Sequence, residues 1–199
     1  MERDLYEIFK VILYANYLKL NNEKVFKKKL HLITKNKKQV KKSNVGGYHS
    51  PDLSKDEKEF QEFLEEITNE ANSLIKHYGF NNELIVSNFW LNINGYKDYN
   101  ETHIHPGSIL SGVYYVDVPK NSGEIIFENG EKNLISSFWN NLTVKNYTSL
   151  NSVKHLYKPK NNLLLIFPSW LSHYVLPNLN EKQKRLSISF NFEIKNNEE

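Results

Sequence analysis

The sequence predicts an α+β protein in which an N-terminal helical part packs on a β-sandwich or jelly roll. Three observations support this: a long amphipathic helical pattern before residue 80, short β-rich runs after residue 83, and turn residues between those runs. With 199 residues and 39% hydrophobic residues, the chain can bury a core of its own. We expect one domain, divided into a helical and basic segment at residues 1–82 and a core at residues 83–195.

The N-terminal segment contains two candidate helical patterns. Apolar residues recur at three- and four-residue spacing over residues 5–17, which indicates an amphipathic helix or a mixture of strand and helix. A second pattern begins at Ser54, where Ser54 and Glu57 fit a capping box. It keeps one apolar face until Gly79, a residue typical of helix ends. We expect this second helix to cover one face of the sheet.

Composition excludes several classes of site. The absence of cysteine rules out disulfides, thiolate zinc sites and iron–sulfur clusters, so any metal must be held by His, Asp or Glu. No apolar run approaches the ~18 residues of a membrane span. The first ten residues are too charged for an export signal. The expected location is therefore the cytoplasm, with no membrane partner.

A basic run lies between Lys24 and Lys42, with nine lysines and no acidic residue. It could bind a phosphate backbone, or it could be a solvated surface segment of a lysine-rich protein. Lysine outnumbers arginine strongly, because the only arginines are Arg3 and Arg185. The role of the run stays open, and Arg185 is the more informative cation.

The β-rich part divides into five candidate strands. They are rich in β-branched and aromatic residues and are separated by Gly, Pro, Asn and Lys turns. Residues 134–160 show no clear pattern and are expected to form an insertion with one or two strands. Several short strands with few helices are typical of a sandwich or jelly roll. The predicted strands are Leu84–Asn94, His103–Val118, Glu124–Glu128, Asn162–Phe167 and Arg185–Glu193.

Three histidines in this part could form a metal site. His103 and His105 are two residues apart in a predicted strand, so both imidazoles would project from one face. Two neutral imidazoles on one face are the beginning of a site for Fe, Zn, Cu or Ni. His173 follows the apolar strand that ends at Phe167 and a proline turn. Its role as a third ligand depends on the fold bringing it to the first pair.

An arginine begins the last predicted strand. Arg185 and Ser187 alternate there with Leu186 and Ile188, which places Arg185 on an inward face. A buried guanidinium needs an anionic partner, because an unpaired charge there is costly. The planar guanidinium can form two parallel hydrogen bonds with a carboxylate. That carboxylate could belong to an acidic residue of the chain or to a bound ligand.

The order of these residues resembles that of the 2-oxoglutarate/Fe(II)-dependent oxygenase superfamily, and most of all its phage-type members. The resemblance covers most of residues 43–193, and a phage protein would act in the cytoplasm of its host. The matching segments are Ser43–Ser50 with S-N-x-G-G-Y, His103–Pro106 with H-x-H-P, Ser111–Val116 with S-G-V-Y-Y, Phe167–His173 with F-P-S-W-L-x-H, and Arg185–Asn191, which begins with R-x-S.

This resemblance implies a double-stranded β-helix, the jelly roll of the superfamily, with ferrous iron at one mouth and 2-oxoglutarate as co-substrate. The implied reaction splits 2-oxoglutarate into succinate and carbon dioxide while a bound substrate is oxidised, in the simplest case by hydroxylation. The implied iron ligands are His103, His105 and His173, and the implied 2-oxoglutarate ligands are Arg185, Ser187 and Tyr115.

One position departs from the superfamily pattern of two histidines and one carboxylate. His105 occupies the place of the carboxylate. Either three histidines bind the iron, or His105 and His173 bind it and Gly107 leaves an open position. The substrate, which could be a small molecule, a protein side chain or a nucleic acid, does not follow from the sequence, and neither does the oligomeric state.

Two other functions are compatible with the same residues. One is a cupin-like three-histidine dioxygenase that uses no keto acid and leaves Arg185 without a carboxylate. The other is a non-catalytic jelly-roll protein with a binding or structural role. Succinate formation would distinguish the first alternative, and metal uptake would distinguish the second.

Overall fold

The computed structural model describes residues 3–35 and 38–196. These residues form eleven β-strands and three α-helices, arranged as two β-sheets with helices against the larger one. Among these helices, none is both long and apolar enough to cross a bilayer.

The N-terminal half of the fold contains the short strands and two of the helices. In chain order its elements are β1 (Tyr14–Tyr17), α1 (Glu23–Ile33), β2 (Asn44–Val45), β3 (Tyr48–His49), a 3-10 turn (Lys58–Phe60) and α2 (Gln61–His77).

The remaining elements form most of both sheets. They are β4 (Leu84–Asn94), β5 (Tyr99–His103), β6 (Leu110–Asp117), β7 (Ile125–Glu128), α3 (Lys132–Phe138), β8 (Lys154–Tyr157), β9 (Leu163–Pro168), β10 (His173–Val175) and β11 (Arg185–Ile194).

The strand order is that of a double-stranded β-helix. The larger sheet has the order β1-β9-β6-β11-β4-β3, and the smaller has the order β2-β5-β10-β7-β8. Each strand pair is antiparallel. From β4 to β11 the chain passes back and forth between the sheets, which is the winding of a jelly roll. The predicted fold class is therefore confirmed.

The alternation along β11 separates the core from the cavity. Leu186, Ile188, Phe190 and Phe192 belong to the main hydrophobic core. The intervening residues Arg185, Ser187, Ser189 and Asn191 line a cavity between the sheets. This two-residue period gives one strand an apolar outer face and a polar inner face.

The helix α2 packs on the outer face of the larger sheet. Phe63 is fully buried, and its ring lies 5.4 Å from that of Tyr114 and 6.0 Å from that of Phe190. Phe26 of α1 joins the same cluster at 5.1 Å from Phe63. The core thus draws on residues from both sides of the expected boundary at residue 82, and the division into two segments stays a prediction.

The helical interpretation of residues 5–17 is wrong. Residues 14–17 form a strand, in which Tyr14 lies opposite Ile166 of β9. Preceding apolar side chains are almost fully exposed, with Leu5 at 97% and Phe9 at 90%. The edge of β9 satisfies the backbone hydrogen bonds of this segment, so tertiary pairing overrides the helical spacing.

The second helix begins later than its capping signature indicates. It starts at Gln61 after the 3-10 turn, and Ser54 accepts a hydrogen bond from the backbone of Asp56 instead of capping the helix. Glu57 forms an ion pair with Lys29 of α1. The side chains of the predicted capping box are therefore used elsewhere. The end of the helix near Gly79, with a φ of 88°, agrees with the prediction.

The predicted strand His103–Val118 is two strands in different sheets. β5 ends at His103, and β6 begins at Leu110. Pro106 has no N–H to contribute to a ladder, and Gly107 has a φ of 84°, so the chain turns between the sheets here. His105 consequently lies in a loop and not on the strand.

The segment between β7 and β8, residues 129–153, projects from the smaller sheet. It contains α3 and no buried residue. Its exposed apolar side chains include Leu134, Phe138, Trp139, Leu142, Tyr147 and Leu150.

Candidate active site

A cavity of about 630 Å³ lies between the two sheets and opens at one end. Inward residues of β4, β6 and β11 form one wall, and all three candidate histidines line the cavity. The fold therefore brings together residues that are up to 70 positions apart in the sequence, from His103 to His173.

Strand pairing places the first and last histidines side by side. His103 ends β5, His173 begins β10, and the two are directly opposite each other in the antiparallel ladder. Their ring centroids are 4.4 Å apart. This contact follows from the register of the smaller sheet.

His105 reaches the same place from its loop. Its backbone N–H donates to the carbonyl of Ser169 at 2.9 Å, just before β10. Its Nε2 lies 3.4 Å from Nε2 of His173. One ligand nitrogen from each of the three histidines lies within 4.8 Å of the others. The predicted convergence is present, although the strand-face argument for it is wrong.

Backbone carbonyls fix the ring nitrogens of two histidines. Nδ1 of His103 donates to the carbonyl of Glu101 at 2.7 Å, and Nδ1 of His173 donates to the carbonyl of Leu171 at 2.8 Å. A carbonyl oxygen can only accept, so Nδ1 carries the hydrogen in both rings. Each Nε2 is then unprotonated, which is the form that binds metals, and that of His103 lies 3.4 Å from the hydroxyl of Ser43.

Burial keeps these rings uncharged. Burial, together with the neighbouring His103, lowers the pKa of His173 to about 3 and that of His105 to about 4. Burial also lowers the pKa of His103. At neutral pH the three imidazoles are therefore neutral and need to release no proton before they bind a metal.

The spacing of two of the nitrogens fits a shared metal ion. Two imidazole nitrogens bound at about 2.0–2.1 Å, at angles between octahedral and tetrahedral values, lie about 2.8–3.4 Å apart. The separation of 3.4 Å between His105 and His173 falls at the upper end of this range. Within residues 3–35 and 38–196, no carboxylate belongs to the cluster. The donor set is thus three imidazoles, which suit Fe, Zn, Cu or Ni.

A buried guanidinium lies in the same cavity. Arg185 is 2% exposed, and its Nη1 donates to the carbonyls of Ser122 at 2.7 Å and Gly123 at 3.0 Å. Its Nε has no hydrogen-bond partner. In the part of the chain that the structure describes, no carboxylate forms an ion pair with it. The side chain thus retains a charge and a donor for a ligand.

Two hydroxyl side chains accompany this arginine. Tyr115 of β6 and Ser187 of β11 are directly opposite each other and line the cavity. Burial raises the pKa of Tyr115 to about 12, so its phenol is protonated and can donate a hydrogen bond. Buried polar atoms without partners are also found here, at Oγ of Ser122 and Oδ1 of Asn94. This part of the cavity is suited to a polar anionic ligand.

Sequence reasoning gave no role to one polar residue of the cavity. Asn191 lies on the inward face of β11 and forms hydrogen bonds with Asn88 and Ser111. The signal was available, because Asn191 continues the two-residue period that starts at Arg185 and Ser187.

The sequence of this region matches a known family. A family model described as "Putative 2OG-Fe(II) oxygenase" matches residues 88–191, which is more than half of the chain. No curated protein matches the sequence.

Solved structures of similar fold span nearly the whole chain. A prolyl-4-hydroxylase from Pseudomonas putida has a TM-score of 0.63 and 12% identity over 92% of this chain and 93% of its own. A prolyl hydroxylase from Trichoplax adhaerens, solved with a hypoxia inducible factor peptide, has a TM-score of 0.59 and 16% identity over 92% and 82%. HygX from Streptomyces hygroscopicus, solved with nickel and 2-oxoglutarate, has a TM-score of 0.61 and 11% identity over 90% and 82%.

At these identities the solved structures establish the fold, and the match to the family model establishes the family. The family match does not favour either alternative, a keto-acid-independent three-histidine dioxygenase or a non-catalytic jelly roll. The cytoplasmic location and the phage origin stay predictions. The family model, together with the jelly roll around the cavity, shows that the chain belongs to the 2-oxoglutarate/Fe(II)-dependent oxygenases, enzymes that use non-haem ferrous iron and 2-oxoglutarate.

Proposed function

We propose that the chain is a 2-oxoglutarate-dependent hydroxylase in which His103, His105 and His173 bind the ferrous iron. The support is the cluster of three neutral imidazoles with their nitrogens within 4.8 Å of one another. Gly107 has no side chain to offer and lies in the turn after His105. The cluster thus favours three histidines over two histidines with an open position.

The observation that carries the proposal is the unpaired charge of Arg185. A guanidinium that is 2% exposed and has no acidic partner among the described residues is costly unless an anion binds it. The distal carboxylate of 2-oxoglutarate would supply that anion, and the fork of Arg185 could hold it through two hydrogen bonds. Ser187 and the phenol of Tyr115 would donate further hydrogen bonds to the same carboxylate.

When bound, iron and 2-oxoglutarate supply the oxidising chemistry, in which oxygen converts 2-oxoglutarate to succinate and carbon dioxide and a substrate C–H bond is hydroxylated. The chain positions the two groups in one cavity. Apolar side chains of Val113, Ile125, Phe167 and Val175 line the cavity and limit the entry of water. An apolar wall lowers the effective dielectric constant and so strengthens the interaction of Arg185 with a carboxylate.

The substrate stays open among a small molecule, a protein side chain and a nucleic acid. The basic run between Lys24 and Lys42 gives little support for a nucleic-acid substrate, because some of its lysines are paired with acidic residues. Nζ of Lys27 lies 2.9 Å from Oε1 of Glu23 and 3.5 Å from Oδ1 of Asp117. Lys29 is also paired, with Glu57. Lys37 of the run is outside the described residues.

An anaerobic titration tests the proposal. Fe(II) followed by 2-oxoglutarate should give the weak visible charge-transfer band of the chelate, and oxygen should then release succinate. A His77→Ala variant, altered at an exposed histidine, is the matched control and should behave like the wild type. Iron uptake without 2-oxoglutarate binding would instead indicate a keto-acid-independent dioxygenase, and no iron uptake would indicate a non-catalytic protein.

A further inference from the structure

Ser43 forms a hydrogen bond with one of the three candidate metal ligands. Its side chain lines the cavity, and its hydroxyl oxygen lies 3.4 Å from Nε2 of His103. Nδ1 of His103 already donates to the carbonyl of Glu101, so Nε2 carries no hydrogen and can only accept. The Ser43 hydroxyl is therefore the donor, and it occupies the lone pair that a metal would use.

The edge of the smaller sheet fixes the position of Ser43. Its carbonyl accepts the N–H of Glu101 at 2.8 Å, and the next residue, Asn44, begins β2 directly opposite Asn100 of β5. Nδ2 of Asn100 donates to Oγ of Ser43 at 3.2 Å. Because Oγ is the acceptor in that contact, the hydroxyl hydrogen is left for His103. None of these supports of Ser43 depends on the lone pair of His103.

A polar row leads from this serine to the strand position opposite Arg185. Nδ2 of Asn94 lies 3.5 Å from Oδ1 of Asn100, and Asn94 is directly opposite Arg185 in the ladder of β4 and β11. The side chains of this row and of Arg185 all line the cavity. A 2-oxoglutarate molecule that reaches from Arg185 to the histidine cluster would span the same two ends. The row, and Ser43 at its histidine end, therefore lies along the expected path of the co-substrate.

A metal ion at the cluster changes the hydrogen bonding of Ser43. The Nε2 lone pair of His103 can accept a hydrogen or bind a metal, but not both, so metal binding breaks the hydrogen bond. A half-buried hydroxyl that has lost its acceptor is unfavourable. Ser43 keeps its contact with Asn100 and needs another acceptor in the cavity. The 2-oxoglutarate carboxylate nearest the histidines is a charged acceptor and would form a strong hydrogen bond there.

We propose that the Ser43 hydroxyl donates to His103 in the metal-free protein and to 2-oxoglutarate in the metal-loaded protein. The change requires only that the hydroxyl hydrogen turn, because the oxygen stays in place. This inference rests on the proposed function, in which His103 is a metal ligand. It also gives the two binding steps an order, since 2-oxoglutarate finds a free donor at Ser43 only after the metal has taken Nε2.

Removal of the hydroxyl should change the two binding steps in opposite directions. In Ser43→Ala the dissociation constant for Ni(II) should fall about 2- to 10-fold, because no hydrogen bond has to be broken. The dissociation constant for 2-oxoglutarate in the Ni(II)-loaded protein should rise about 10-fold, because a hydrogen bond to a carboxylate is lost. Calorimetry measures both steps. Two constants that change in the same direction, or either constant at its wild-type value, would overturn the inference.

Three further variants complete the test. Ser43→Thr keeps a hydroxyl and should match the wild type in both steps; constants like those of Ser43→Ala would argue against a role of the hydroxyl. Ser54→Ala, altered at an exposed serine outside the cavity, is the matched control. His173→Ala reports on the proposed function. Loss of Ni(II) binding there, with wild-type constants in Ser43→Ala, would reject Ser43 alone, whereas unchanged binding in His173→Ala would reject the histidine site itself.

A second readout needs no metal and holds even if a variant binds none. In the presence of a chelator, nitrogen NMR should show the Nε2 signal of His103 upfield of that of a free imidazole nitrogen, because Nε2 accepts a hydrogen bond. The signal should move downfield in Ser43→Ala and return in Ser43→Thr, while the Nδ1 signal of His173 stays in place. An identical Nε2 signal of His103 in Ser43→Ala and the wild type would contradict the inference.

Discussion

At the scale of single residues, Arg185 combines deep burial with an incomplete set of partners. Two backbone carbonyls accept from its Nη1, while Nε has no acceptor. Burial lowers its pKa, although an arginine remains charged at any physiological pH. Folding already bears the free-energy cost of desolvating this charge, so a carboxylate ligand meets a guanidinium that is largely removed from solvent.

Replacement of Arg185 by lysine should affect one ligand and not the other. We expect Arg185→Lys to weaken 2-oxoglutarate binding about 10- to 100-fold, because a point charge cannot reproduce the two-pronged contact. Metal binding should remain nearly unchanged. Calorimetry with Ni(II) and then 2-oxoglutarate measures both steps, and an equal loss of both would mean that Arg185 mainly supports the fold.

Replacement of His173 should remove the metal. The Nε2 of His173 lies 3.4 Å from that of His105, and its ring contacts that of His103. We expect His173→Ala to lose stoichiometric Fe(II) binding, as measured by metal analysis after anaerobic loading. The matched control is His155→Ala, an exposed histidine on β8 of the same sheet, which should bind iron like the wild type. Full iron content in His173→Ala would exclude it as a ligand.

At the scale of elements, the turn before β7 connects the backbone to Arg185 in the cavity. Gly123 has a φ of 82°, and its carbonyl accepts from Arg185. A Cβ at this position would lie 2.1 Å from the carbonyl oxygen of Leu176. The turn therefore requires glycine both for its dihedral angle and for the close approach of the backbone.

Gly123→Ala should weaken the fold and 2-oxoglutarate binding together. We expect a loss of about 1–3 kcal/mol in the free energy of unfolding, because the residue would be strained and the turn would have to move. The displaced carbonyl should also lower 2-oxoglutarate affinity and leave Ni(II) affinity close to that of the wild type. Urea unfolding and calorimetry measure these effects. Gly130→Ala, which meets nothing within 4 Å, is the control; wild-type behaviour of Gly123→Ala would refute the argument.

The elements also show which sequence signals are reliable. The strand Leu84–Asn94 and the start of β11 at Arg185 follow from their patterns, because alternation is enforced by a core on one face and a cavity on the other. The helical spacing in residues 5–17 misleads, because the side chains of Leu5 and Phe9 are almost fully exposed and the edge of β9 decides the backbone of residues 14–17. Local patterns predict structure where burial enforces them.

The candidate site was predictable to a similar extent. His103, His173 and Arg185 could be proposed from motif order, and the structure places all three in one cavity. The loop position of His105 was not predictable, because the turn at Pro106 depends on which sheet receives the next strand. Asn191 was given no role because its partners Asn88 and Ser111 are distant in sequence, and only the register of β11 brings them together.

At the scale of the whole molecule, the cavity histidines couple stability to pH. Burial lowers the pKa of His49, His103, His105 and His173 below the usual 6.5. Below that pH the unfolded chain takes up protons that the folded chain does not. Protonation therefore stabilises the unfolded state relative to the folded state. The contribution of these neutral rings to the free energy of unfolding is complete above pH 6.5. It is lost as the pH falls toward about 4 for His105 and about 3 for His173.

The metal-free protein should therefore lose stability under mild acid. Between pH of about 7.5 and about 5.5, His105 and His173 should each lower the free energy of unfolding by about 1 kcal/mol. Urea unfolding in the presence of a chelator measures this, and His173→Leu should show a shallower pH dependence than the wild type. Identical urea midpoints at the two pH values would contradict the assignment of neutral, buried rings.

The projecting segment 129–153 has a consequence for engineering the chain. Its ends are already neighbours, since Glu128 and Lys154 are paired across β7 and β8. A tight hairpin turn such as Asn-Gly could join these strands directly, as it does in many antiparallel pairs. Because the segment contributes no buried side chain, the shortened protein should keep the jelly roll intact. It should also expose less apolar surface and so associate less with itself in solution.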